Sequence, residues 1–145
     1  TELQAAAGIY QLNQLNNFID KRNTIAKMYD KILSKSPLYK AIPINLNNKC
    51  AYYKFPFYID LKKTKKNISY QVIMNYLGSI RNGVTVGCCP DISKELQYKK
   101  NKLVLPNAEK ISKKLISLSI NHRMKINEVI KDANRIKSYF DQICI

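Results

Sequence analysis

Residues 2–33 read ELQAAAGIYQLNQLNNFIDKRNTIAKMYDKIL, and their apolar side chains recur every three or four positions. The stripe comprises Leu12, Leu15, Ile19, Ala26, Tyr29 and Leu33, and it is widened by Phe18, Ile25 and Ile32. This spacing predicts one amphipathic helix of about nine turns, which ends before Pro37 because proline cannot continue the hydrogen-bond ladder. A helix this long outgrows a small domain. We therefore expect its alanine-rich N-terminal half to pack against protein outside these 145 residues.

The rest of the chain predicts a small sheet packed with helices. Residues 37–50 have the composition of a loop, and residues 51–61 alternate as a half-buried strand in which Pro56 indicates an edge position or a bulge. The other predicted elements are a helix from a Ser69 cap to Ile80, a strand at 84–86, a helix capped by Asn107 and running to Lys114, a strand at 115–120 and an amphipathic helix from Ile126 to Phe140. This alternating order predicts a single α/β (α+β) domain over residues 1–145.

The net charge of +15 suggests an anionic partner, and most of it lies in residues 61–145, which hold 17 basic and six acidic side chains. Composition offers a second explanation, since AT-rich codons also produce the 21 Lys, 15 Asn and 19 Ile residues. The lysine run at 62–66 lacks the arginines and interleaved aromatic residues that are typical of nucleic-acid sites. Nucleic acid is therefore the disfavoured partner. An anionic nucleotide or phosphate ligand would explain the basic surface as well as nucleic acid would.

The cysteines and the single histidine exclude several kinds of site. Cys50, Cys88, Cys89 and Cys144 form no C-x-x-C pair, and His122 is alone, so a zinc ribbon, a thioredoxin motif and a three-histidine metal site are excluded. We expect the thiols to be free, as in cytoplasmic proteins, and to act as small buried hydrophobic groups. No apolar run reaches the length that a membrane span needs.

A series of short motifs runs through almost the whole chain in a fixed order. They are Thr1-Glu2-Leu3-Gln4-Ala5-Ala6-Ala7-Gly8, Gln11-Leu12, Lys21-Arg22, Tyr52-Tyr53-Lys54-Phe55, Gly83-Val84, Leu105-Pro106-Asn107-Ala108-Glu109 and the segment from Leu115 to His122. Together they closely resemble the C-terminal domain of sugar aminotransferases of the DegT–DnrJ–StrS family. The resemblance implies the small domain of a fold-type-I enzyme, with a mostly antiparallel sheet behind a long first helix.

The resemblance also implies an activity for the whole enzyme. Members of the family use pyridoxal phosphate to move an amino group, usually from glutamate, onto a nucleotide-linked keto sugar for polysaccharide, lipopolysaccharide or amino-sugar synthesis. The lysine that holds the cofactor, the carboxylate that faces its pyridine nitrogen and its phosphate cradle lie in the large N-terminal domain. The expected partners are therefore this chain's own large domain, a second copy in a homodimer, the sugar nucleotide and the amino-acid donor. Alone, the chain is expected to bind no cofactor and to be inactive.

Six residues are candidates for substrate binding, and none for catalysis. Cys88, Cys89, Pro90 and Asp91 stand where many family members have a His-Tyr-Pro loop that reaches the sugar, so the imidazole and phenol contacts cannot be carried over. In the strand, alternation places Tyr53 with Phe55 on one side, which leaves Tyr52 and Lys54 exposed if Tyr53 is in the core. Tyr52 could then stack on a nucleotide and Lys54 could hold a phosphate. For Arg22 and His122 we expect structural roles.

Three other interpretations remain open at this point. The chain could be a stand-alone binding or regulatory module that kept the fold without the cofactor domain. It could be a basic nucleic-acid-binding domain. A dehydratase of the same family uses the same cofactor on the same scaffold.

Overall fold

The computed structural model describes residues 1–44, 50–80, 84–86, 91–98, 100 and 104–145, with the backbone alone at 84–86. In this part of the chain the helices are α1 (Glu2–Leu33), α2 (Tyr70–Gly78), α3 (Pro106–Ser112) and α4 (Ile126–Ile143). The strands are β1 (Tyr39–Ala41), β2 (Lys54–Ile59), β3 (Val84–Val86) and β4 (Leu115–Ser119). Short 3₁₀ turns occupy Leu61–Lys63 and Ile92–Lys94.

The strands form one antiparallel sheet in the order β1-β2-β4-β3. The predicted α+β class, with a small antiparallel sheet behind a long first helix, is confirmed. The prediction of a loop over residues 37–50 is wrong at 39–41. There β1 pairs with β2, and Tyr39 packs its ring 5.2 Å from that of Phe57. A strand of three residues carries too little periodicity to be seen in the sequence.

Pro56 does not make β2 an edge strand, because β2 lies between β1 and β4. Successive backbone amides of a strand point to opposite neighbours. The Ile59 amide donates to Lys114 on the β4 side, and the Asp60 amide donates to Leu38 on the β1 side. The nitrogen of Pro56 therefore faces the β1 side, where β1 has already ended at the pair Ala41–Phe57. The missing N–H of proline thus removes no hydrogen bond from the ladder.

The core lies between the sheet and the helices α1, α2 and α4. Along β2, Phe55, Phe57 and Ile59 are buried, as the alternation predicts, and the Phe57 ring lies 6.3 Å from that of Phe140 on α4. Helix α4 buries one stripe, which consists of Val129, Ala133, Ile136, Phe140 and Ile143. Each of the larger aliphatic and aromatic side chains contributes roughly 1.5–3 kcal/mol on burial, so burial of the apolar faces of β2 and α4 is the main force that holds them together.

Helix α1 has the predicted length, but it contributes to the core only through its C-terminal half. Its buried residues are Ile25, Ala26, Tyr29 and Leu33. Leu3 is 82% exposed and Leu12 is 68% exposed, although a capping box between Thr1 and Gln4 starts the helix. The described part of the chain therefore leaves the N-terminal half of the apolar stripe uncovered.

The ends of the shorter helices test the capping predictions. Ser69 is the N-cap of α2, as predicted, since its side chain accepts a hydrogen bond from the Val72 amide at 3.4 Å. Asn107 is not a cap, because α3 already begins at Pro106, whose fixed φ angle suits a first helical position. Helix α2 ends at Gly78, before the predicted end at Ile80. Residues 81–83, which follow Ile80, lie outside the described residues.

Candidate functional site

A cavity of about 610 Å³ lies between the C-terminal half of α1, the end of β1 and the start of β2. We call it the Tyr52 cavity. The polar and aromatic groups around it are Lys27, Asp30, Tyr39, Cys50, Tyr52 and Lys54. It thus brings together two of the six residues that the sequence predicts, and it adds Asp30 and Tyr39, which no sequence signal indicated.

The backbone at Tyr52 decides which side chains reach this cavity. Tyr52 has a φ of +44°, in the left-handed region, where a non-glycine residue costs roughly 1–2 kcal/mol. This conformation breaks the strand alternation just before β2 begins. As a result Tyr53 is 78% exposed, and Tyr52 is half-buried with its ring 6.3 Å from that of Phe55. The sequence made the exposure of Tyr52 conditional on a buried Tyr53, and this condition is not met.

A hydrogen bond between α1 and β1 fixes one wall of the cavity. The Tyr39 hydroxyl donates to Asp30 Oδ1 at 2.6 Å. Burial, reinforced by this bond and by the charge of Asp30, raises the pKa of Tyr39. Burial, followed by Cys50 and Asp30, raises the pKa of Tyr52 as well. Both phenols therefore stay protonated at neutral pH, where they can donate hydrogen bonds but cannot serve as general bases.

Lys54 supplies positive charge at the mouth of the same cavity. Its Nζ lies 6.0 Å from the centre of the exposed Tyr53 ring, at the outer limit of a cation–π contact. The chemistry of the Tyr52 cavity is thus two protonated phenols, an ammonium group and a carboxylate. Such a set can bind a hydroxylated, anionic ligand, and no pairing of a nucleophile with a base occurs among these groups.

Asp91 lies outside this cavity. It is 6% exposed, and its Oδ1 accepts from the backbone amide of Ser93 at 3.1 Å and from the Ser93 hydroxyl at 2.6 Å, which caps the 3₁₀ turn. Its Oδ2 is buried without a hydrogen-bond partner in the described structure. The other three members of the predicted loop, Cys88, Cys89 and Pro90, lie outside the described residues.

Arg22 and His122 lie together where α1 passes the end of β4. The His122 ring stacks on Phe18 with a centroid distance of 4.0 Å. Arg22 Nε and His122 Nδ1 are both buried without a partner among the described residues. Burial, followed by the positive charges of Arg123, Arg22 and Lys21, lowers the pKa of His122.

The described residues show no metal centre and no membrane span. Among them, no three His, Cys, Asp or Glu side chains lie close enough together to hold a metal ion. None of the described helices is both long and apolar enough to cross a membrane. Cys50 and Cys144 are free thiols.

Comparison with known proteins connects this fold to one family. The sequence profile of the DegT/DnrJ/EryC1/StrS aminotransferase family matches residues 1–137. An uncharacterized protein of Methanocaldococcus jannaschii is 27% identical over 140 residues, which make up 94% of this chain and 36% of that protein.

Several solved structures share the fold, and two of them illustrate the match. Helicobacter pylori PseC, an aminotransferase involved in the biosynthesis of pseudoaminic acid, superposes on 98% of this chain with a TM-score of 0.83 and 23% identity. An aminotransferase from Psychrobacter cryohalolentis superposes on 98% of the chain with a TM-score of 0.85 and 19% identity. The chain spans 38% and 39% of these two proteins, respectively.

Proposed function

Because the chain belongs to the DegT/DnrJ/EryC1/StrS aminotransferase family, we propose that it is the C-terminal domain of a pyridoxal-phosphate-dependent aminotransferase acting on a nucleotide-linked keto sugar. The match of the family profile to residues 1–137 is the observation that carries this proposal. The share of the relatives that the chain spans supports a large domain elsewhere in the protein. We further propose a homodimer in the cytoplasm that uses an amino-acid donor and serves polysaccharide or lipopolysaccharide synthesis.

The cofactor is proposed to bind to the other domain. Pyridoxal phosphate supplies the electron sink for moving an amino group, and the lysine that holds it must be desolvated to be reactive. Every lysine side chain that the structure describes is exposed or half-buried. These lysines therefore do not fit that role, and we assign no step of the cofactor chemistry to this chain.

The contribution proposed for this domain is to bind and orient the sugar nucleotide. In the Tyr52 cavity, the Lys54 ammonium group suits a phosphate, the Tyr52 hydroxyl suits an oxygen of a sugar, and the Tyr39 oxygen, whose proton is donated to Asp30, can accept from a sugar hydroxyl. The hydrogen bond from Tyr39 to Asp30 keeps one of these phenols in place before a ligand arrives. The loop with Cys88, Cys89, Pro90 and Asp91 is proposed to border the same substrate from the position that the family gives it.

Spectroscopy of the complete protein tests this function. We expect the full-length protein to bind pyridoxal phosphate on one lysine, to lose the aldehyde-form absorbance when glutamate is added, and to recover it when a nucleotide-linked keto sugar is supplied. The 145-residue chain on its own should give no saturable lysine adduct after borohydride reduction. One stoichiometric lysine adduct within this chain, or a full-length protein that does not respond to glutamate, would contradict the proposal.

A further inference from the structure

A second cavity, of about 650 Å³, opens between β1, β2 and the region of α3. We call it the lysine cleft, because Lys40, Lys62, Lys110 and Lys114 line it together with Tyr58 and Ile111. Within the described part of the chain it shares no lining residue with the Tyr52 cavity. The function proposed above gives it no role.

The lysine cleft is assembled from separate parts of the sequence. Lys40 on β1 and Tyr58 on β2 are cross-strand partners, so their side chains stand on the face opposite to buried Tyr39 and Ile59. Lys62 follows β2 in the 3₁₀ turn. Lys110 on α3 and Lys114, two residues after its end, both line the cleft. The fold therefore gathers charges that are up to 74 positions apart in the chain.

Composition does not account for this concentration of charge. Four of the nine described residues that line the cleft are lysines, whereas nine residues drawn at random from this chain would include about one. Among the described residues of the lining, Asp60 is the single acidic one. The cleft is therefore more positively charged than this basic chain is on average.

The four ammonium groups are also not neutralised by ion pairs among the described residues. None of them forms an ion pair or a side-chain hydrogen bond within the part of the chain that the structure describes. Asp60 Oδ1 already accepts from the backbone amide of Lys62 at 3.3 Å. Glu109, the acidic residue of α3, is engaged by Lys113 at 2.9 Å and by Lys94 at 3.6 Å. A bound anion would therefore relieve the mutual repulsion of these lysines.

We propose that the lysine cleft binds a small phosphate-bearing molecule with a planar ring, of the nucleoside diphosphate class. Lysine binds phosphate as a point charge, and several lysines around one cavity suit more than one phosphate group. The half-buried Tyr58 ring and the Ile111 side chain supply an apolar surface on which a planar ring can lie. The volume falls within the ~300–1,000 Å³ that is typical of small-molecule sites.

Calorimetric titration of the 145-residue chain tests this site with ADP, inorganic pyrophosphate and adenosine as probes. We expect saturable binding of ADP, weaker binding of pyrophosphate and none of adenosine. The double variant Lys40→Gln/Lys110→Gln should lower the affinity for ADP about tenfold, which corresponds to ~1.4 kcal/mol. Tyr58→Ala should weaken ADP and leave pyrophosphate unchanged. Far-UV circular dichroism checks that each variant is folded.

A matched control separates a built site from a generally basic surface. Lys125→Gln/Lys131→Gln removes the same charge from two exposed lysines that do not line the cleft, and it should leave the affinity for ADP unchanged. Equal losses in the two double variants, or no saturable binding of ADP, would overturn the proposal. So would a single-stranded oligonucleotide that binds far more tightly than ADP and is insensitive to Lys40→Gln/Lys110→Gln. ADP bound in the Tyr52 cavity, where the proposed function places a sugar nucleotide, would be insensitive to Lys40→Gln/Lys110→Gln, so the response of this variant distinguishes the lysine cleft from that cavity.

Discussion

At the scale of single residues, the hydrogen bond from Tyr39 to Asp30 joins β1 to α1 and can be tested by removing one hydroxyl group. Tyr39→Phe keeps the ring packed on Phe57 but loses the bond to the carboxylate. Hydrogen bonds to charged groups contribute about 1.5–3 kcal/mol, and Asp30 is solvent-exposed, so we expect the free energy of unfolding to fall by about 1–2 kcal/mol. Urea denaturation measures this, with Tyr53→Phe on the exposed neighbouring ring as the control. Equal stability of the two variants would contradict this account.

A second prediction at this scale concerns the effect of pH on His122. Its pKa is lowered by burial and by Arg123, Arg22 and Lys21, so the unfolded chain binds the proton more readily than the folded one. Stability is therefore full above the unfolded pKa of about 6.5 and falls as the pH drops below it. We expect the melting temperature to decrease between about pH 7.5 and pH 5.5, and His122→Gln to flatten this decrease.

Glu109 titrates at lower pH, so it does not contribute to the change in melting temperature that is expected from His122. Lys113, followed by Lys94, lowers the pKa of Glu109, so its contribution is lost only as the pH falls below its ordinary value of 4.5. An unchanged slope between about pH 7.5 and pH 5.5 in His122→Gln would show that another group causes the loss of stability.

At the scale of elements, the connection from Val86 to Ser93 is predicted to shape the sugar pocket without taking part in proton transfer. Residues 87–90 lie outside the described part, and the assignment rests on the position of the loop in the family. In the proposed full-length aminotransferase, Cys89→Ser should change activity by about threefold or less, under ~1 kcal/mol, because a small polar group replaces a small polarizable one. Cys89→Trp should raise the KM for the sugar more than it affects the reaction with glutamate.

The two half-reactions can be followed separately by cofactor absorbance. Normal sugar turnover in Cys89→Trp would place the loop away from the substrate. Loss of both half-reactions in a folded Cys89→Ser protein would instead reveal a chemical role for the thiol.

At the scale of the whole molecule, the uncovered half of α1 predicts self-association of the isolated chain. Leu3, Ile9, Leu12 and Leu15 are all exposed on this helix, and apolar patches of this kind drive association. Leu12→Lys/Leu15→Lys should shift the chain to a monomer in sedimentation-velocity experiments. The free energy of unfolding of the monomer should stay within about 0.5 kcal/mol per substitution, because neither side chain is in the core. A wild-type chain that is monomeric with an ordered N-terminal half of α1 would contradict this prediction.

Much of the architecture follows from local patterns in the sequence. The 3–4 spacing in residues 2–33 and 126–140 predicted α1 and α4, alternation predicted the buried side chains of Phe55, Phe57 and Ile59, and Ser69 predicted the start of α2. The family resemblance could also be recognised from the chain, since short motifs keep their order and spacing. These signals can be detected in the sequence because each depends on residues that are near one another along the chain.

The arrangement of the two cavities depends instead on contacts between distant residues. β1 exists because Tyr39 meets Asp30 and Phe57, Tyr52 turns inward because its backbone adopts a left-handed conformation, and Pro56 is tolerated because β1 ends beside it. The lysine cleft likewise gathers residues from β1, a turn and α3, whose lysines look in sequence like any others on a basic surface. Local periodicity indicates which face of an element is buried, but it does not indicate which distant element covers that face. The packing of distant elements against one another is what brings Asp30 next to Tyr39 and Lys40 into one cleft with Lys110.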